Sequence, residues 1–67
     1  MNLSAKDLIK ALEANGFEFK RSKSSHRIYY NKETKVTVVV PVHGNRDLPK
    51  GTFLSILKQA GLSQEDV

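Results

Sequence analysis

The sequence predicts an α+β fold with the element order α-β-β-β-α. Three observations predict it. Leu8, Ile9 and Leu12 form an apolar stripe at helical spacing behind Ser4. Three strand-forming stretches fill most of residues 17–40. A second helical stripe, Phe53, Ile56, Leu57 and Ala60, lies near the end of the chain.

The first helix is expected over residues 5–15. Ser4 is its N-cap, because a serine hydroxyl accepts a hydrogen bond from a free backbone N–H. Asp7 suits the positive end of the helix dipole and stands as a shortened capping-box acid. Leu3 and Leu8 are spaced as a hydrophobic staple. Gly16 ends the helix in a left-handed conformation.

Phe17-Glu18-Phe19-Lys20-Arg21 alternates apolar and polar residues, the period of a half-buried strand. His26-Arg27-Ile28-Tyr29-Tyr30 is rich in strand formers, and Lys32-Glu33-Thr34 makes a turn into the β-branched run Val36-Thr37-Val38-Val39-Val40. Pro41 confines that strand to an edge or ends it. The short connections fit a three-stranded antiparallel meander. His43 to Asp47 is a loop by composition. Pro49 fits the first turn of the second helix, Gly61 closes it, and Ser63 with Asp66 can start one more turn. Both helical stripes need a cover, which one sheet face provides.

With 67 residues the chain is expected to be a single domain over residues 1–67. A chain this short buries only about 60% of its unfolded surface. That leaves little room for a deep pocket around a large cofactor, and none is expected. The absence of cysteine excludes disulfide scaffolds and cysteine-based zinc sites. No apolar run is long enough for a transmembrane helix, and residues 1–7 lack the pattern of a signal peptide. A soluble, cytoplasmic protein with no membrane partner is the expectation.

The net charge of +4 is unevenly placed. Between residues 20 and 50, eight cations meet two anions, a net +6, whereas the flanks together carry −2. A basic centre of this kind suits a polyanion, although a solvated lysine-rich surface has the same composition.

The chemistry-bearing residues are few. His26 and His43 stand 17 positions apart without metal-ligand pairing, so no metal site is expected. Gly44 and Gly51 lack the spacing of a phosphate loop, and no nucleophile elbow surrounds a serine. What remains is a histidine in a basic setting. Imidazole exchanges protons near neutrality. RNA carries its own nucleophile, the 2′-hydroxyl, so a ribonuclease needs only proton transfer and cations that hold phosphate. Lys23, Ser25, His26 and Arg27 supply those types within five positions. The same residues also fit a histidine that merely hydrogen-bonds or packs at a strand start. Strict alternation puts His26, Ile28 and Tyr30 on one side, and one of Tyr29 and Tyr30 is expected in the core. A bulge near Ser24-Ser25 would change that assignment.

Four segments in order resemble the HicA toxins of bacterial and archaeal toxin–antitoxin pairs. They are Asn15-Gly16-Phe17, Ser24-Ser25-His26-Arg27-Ile28-Tyr29, Val40-Pro41-Val42-His43, and the helix running from Lys50-Gly51-Thr52 to Ala60-Gly61. The family has Gly where this chain has Ser24, and glycine there permits a backbone conformation that serine strains. The resemblance implies a fold like a double-stranded-RNA-binding domain, with both helices on one sheet face. It implies an endoribonuclease (an mRNA interferase) that cleaves messenger RNA and arrests translation, with His26 as the catalytic acid/base. It also implies a HicB-like antitoxin partner covering the His26 face.

Candidate RNA-binding residues are Lys20, Arg21, Lys23, Ser25, Arg27, Lys35 and Lys50, with His43 as a second acid/base candidate. The alternatives are a non-catalytic RNA-binding module of similar fold and a protein-interaction domain whose basic face serves an acidic partner.

Overall fold

The computed structural model describes residues 4–44 and 46–67. Its elements are α1 (Ala5–Ala14), β1 (Phe17–Lys23), β2 (His26–Asn31), β3 (Val36–Pro41) and α2 (Lys50–Ala60), followed by a 3-10 turn at Gln64–Asp66. The strands form one antiparallel sheet in the order β1-β2-β3. The fold is the expected α-β-β-β-α.

Local chemistry sets the helix ends. The Ser4 hydroxyl accepts a hydrogen bond from the Lys6 amide at 3.2 Å, so the N-cap lies where its side chain predicts. The staple expected between Leu3 and Leu8 lies outside the described residues. Gly16 has φ +93° and Gly61 has φ +75°, left-handed values that suit glycine just past a helix. Pro49 is the N-cap of α2 rather than its first helical residue, a shift of one position. At the C-terminus, Ser63 and Asp66 close a capping box around the final turn.

One sheet face carries the core. Phe17, Tyr29, Val38 and Val40 point to it and pack against Leu8 and Leu12 of α1 and Phe53, Ile56 and Leu57 of α2. Both helices therefore cover the same face, as their apolar stripes require. Leu48 is buried in the same cluster and anchors the β3–α2 loop. A bridge between Ser4 and Asp47 ties that loop to the start of α1.

Two features depart from simple alternation. Phe19 is 50% exposed although its spacing from Phe17 predicts burial; it lies on an edge strand, and its ring meets that of Tyr29 in a T-shaped contact with centroids 5.7 Å apart. Beyond it the β1–β2 register slips, leaving Lys20 as an extra residue in β1. The bulge is thus in β1, not near Ser24-Ser25, and β2 stays regular. Pro41 ends β3, an edge strand, as its missing N–H predicts.

Candidate functional site

The candidate site is built on the sheet face that the helices leave open. Tyr29 is 2% exposed and faces the helices, so its β2 neighbours Ile28 and Tyr30, together with His26, project to the other side. His26 is exposed at the start of the central strand. Its cross-strand partners are Lys23 on β1 and Pro41 on β3. Directly opposite residues share a sheet face, so a cation flanks the imidazole on one side and a proline ring on the other.

The β1 bulge decides which cations join His26. In an unbroken strand, Arg21 and Lys23 would share the face of Phe17 and Phe19. The extra residue reverses this. Arg21 pairs with Ile28 and Lys23 with His26, both on the open face. Lys20 lies there too, its Nζ 5.8 Å from the ring centroid of Tyr30, within cation–π range. Three cations of β1 therefore border His26, Ile28 and Tyr30.

The other sequence candidates are dispersed. Ser25 is half-buried, and its main-chain oxygen accepts a hydrogen bond from the Val42 amide at 2.7 Å, which extends the ladder past His26. Arg27 lies next to His26 in the chain but projects to the helix side, opposite Ser22 and Val40. Lys35 sits in the β2–β3 turn with φ +60°. That is the opposite end of the sheet from His26, roughly 17 Å along β2. Lys50 is exposed as the first residue of α2.

His43 is exposed two residues beyond Pro41, the partner of His26, and its main-chain oxygen accepts from the Arg46 amide at 3.2 Å. Of the two tyrosines, Tyr29 is the core residue; Tyr30 is half-buried on the open face.

The sequence reading missed Lys6, Lys10 and Arg46. With Arg27 they line a hollow of about 550 Å³ between α1 and the β3–α2 loop. Counting charge along the chain put Lys6 and Lys10 in an acidic flank. Their spacing of four on a helix was the available signal that they share one face. Among the described residues, no group of three or more His, Cys, Asp or Glu side chains is placed to hold a metal ion. No helix among them is long and apolar enough to cross a membrane.

A family model described as the HicA toxin of bacterial toxin–antitoxin systems matches residues 5–62. This chain is a member of the HicA toxin family. No curated protein matches the sequence. The match runs from the first residue of α1 to just past α2, so it takes in the whole sheet and both helices. As a HicA-family protein the chain has the role of a toxin, and a toxin of this kind is paired with an antitoxin. The Ser24 position, where the resemblance leads one to expect glycine, has φ +58°. A serine therefore occupies a left-handed position in this HicA-family hairpin.

Proposed function

We propose that this HicA-family toxin, acting as one domain over residues 1–67, is a cytoplasmic endoribonuclease that cleaves messenger RNA without a metal ion and so arrests translation. The observation that carries the reading is an exposed imidazole, His26, set beside Lys23 on a face that also bears Lys20 and Arg21. Cleavage needs little more from a protein. The 2′-oxygen of the RNA attacks the neighbouring phosphorus as the bond from phosphorus to the 5′-oxygen breaks. One proton leaves the 2′-hydroxyl and one reaches the departing 5′-oxygen. His26 handles one of these transfers as general acid or base, and His43 or water handles the other. Lys20, Arg21 and Lys23 hold the phosphate and offset the charge that builds on it. Ser25, Arg27, Lys35 and Lys50 are the further candidates for RNA contact.

The restraining partner is a HicB-like antitoxin that covers the His26 face. An open site of this kind has no deep pocket to plug, so covering it is the simplest inhibition.

The test is cleavage of labelled messenger RNA by purified protein and by His26→Ala in the presence of a chelator. The parent should yield fragments with chelator present. The variant should be slower by roughly 10²–10⁴-fold, the usual contribution of one acid–base group, with its circular dichroism unchanged. Undiminished cleavage by His26→Ala would remove His26 from the mechanism. RNA retained intact by the parent would favour a binding module.

A further inference from the structure

The hollow between α1 and the β3–α2 loop is the second concentration of positive charge on the molecule. Lys6 and Lys10 stand one helical turn apart on α1, Arg27 reaches in from β2, and Arg46 closes the loop side. Glu13 is the one carboxylate in the lining. Lys32 pairs with Glu18 far along the sheet, and no ion pair between described residues takes in any of these four cations. Like charges at this helical spacing repel. The bridge between Ser4 and Asp47 and the buried Leu48 nevertheless hold the two walls together. The cluster is thus kept in place with four cations against one carboxylate, as a receptor for several anionic oxygens is.

Its position says which anion. Arg27 follows His26 directly, and consecutive strand residues project to opposite faces. The hollow and the candidate catalytic face therefore lie on the two sides of the same strand end. A ligand that touches both must bend around that end. A stiff duplex reaches only one side; a single strand, with its soft backbone, reaches both.

We infer that the hollow lined by Lys6, Lys10, Arg27 and Arg46 is a phosphate-holding subsite for single-stranded RNA, taking the backbone that flanks the phosphate presented to His26. The inference rests on the nuclease reading and adds to it a second contact region and a strand preference. Lys6 and Lys10 are positioning residues: they fix where the strand lies and take no part in proton transfer.

The experiment measures binding of a short 2′-O-methyl oligoribonucleotide, which lacks the nucleophile, as a function of salt. It uses the same strand annealed to its complement as the second ligand. Lys6→Gln/Lys10→Gln is the main variant and Lys58→Gln, on the far part of α2, the control. Arg46→Gln is a second variant on another element, and circular dichroism checks that each is folded.

For the single strand, the double variant should flatten the slope of log K against log salt by about 1.4, or about 0.7 for each lost contact. Arg46→Gln should flatten it by about 0.7. Duplex binding should be unchanged, and cleavage of ordinary RNA should show a raised KM with kcat preserved. Unchanged single-strand slopes in folded variants of an active parent would overturn the subsite and leave the nuclease reading standing. Equal losses for single strand and duplex would overturn the strand preference. A parent that neither binds nor cleaves RNA would overturn both.

Discussion

The buried side-chain amide of Asn31 donates a hydrogen bond from Nδ2 to the main-chain oxygen of Asn15 at 3.0 Å. The end of β2 is thereby fastened to the end of α1. The other half of the same amide organises the β2–β3 turn: Oδ1 accepts from the Glu33 amide at 2.9 Å and from the Thr34 amide at 3.2 Å. A side chain at Gly16 would press on this group, since a Cβ there would meet Asn31 Nδ2 at 3.2 Å. Asn31→Ala removes all three bonds and leaves their partners short. We expect it to cost about 1–3 kcal/mol, the usual penalty for stranding buried polar groups. Urea denaturation checks this, and an unmoved midpoint would show that the amide contributes nothing.

Ser24 opens the two-residue connection between β1 and β2 at φ +58°. A left-handed residue with a Cβ is strained by roughly 1–2 kcal/mol, of which the greater freedom of an unfolded glycine returns part. Ser24→Gly should therefore stabilise the protein by about 0.5–1 kcal/mol. His26 lies two residues on, so the same substitution also tests whether relaxing the hairpin alters activity. A lower thermal midpoint in Ser24→Gly would contradict the strain.

The cations of β1 should contact phosphate individually. Lys20→Gln, Arg21→Gln and Lys23→Gln should each flatten the salt dependence of single-stranded RNA binding by about 0.7. Lys35→Gln, at the far end of the sheet, should change it least. A parent slope near zero would mean that the open face does not bind RNA.

Antitoxin and RNA should compete for the open face. Tyr30, half-buried beside Lys20, is the aromatic anchor available there. Tyr29 is closed off in the core and cannot serve, although the sequence leaves the two equal. Tyr30→Ala should weaken the antitoxin complex by about 2 kcal/mol or more if the ring is a central contact. Competition is measured with His26→Ala, so that the RNA survives. Simultaneous, independent binding of both ligands would show that the antitoxin acts from elsewhere.

Much of this architecture was legible in the sequence because its signals are local. Ser4, Gly16 and Gly61 mark helix ends through single-residue chemistry, and strict alternation in β2 places His26, Ile28 and Tyr30 together. The bulge at Lys20 was not legible. No glycine or proline announces it, and it follows from how β1 must pair with β2 while Phe17 stays in the core. The hollow was missed for a related reason. Lys6 and Lys10 meet Arg27 and Arg46 only after the chain has folded back, and a tally along the sequence separates them. Asn31 reads as an ordinary turn residue until the distant Asn15 carbonyl is seen beside it.

The extra residue in β1 makes the charge of the open face a question of parity. Arg21 and Lys23 lie beside His26 because the residue between Phe19 and Arg21 drops out of the ladder, whatever its side chain. Deleting Lys20 would remove the bulge and leave Phe19 opposite Tyr29, Arg21 opposite Ile28 and Lys23 opposite His26, so both cations would stay on the open face. Straightening β1 with Lys20 kept in the ladder is what would turn both cations toward the helices, where Phe17 and Tyr29 pack. Lys20→Ala and the deletion of Lys20 should therefore both retain most RNA binding, and a folded deletion variant that loses it would contradict this register.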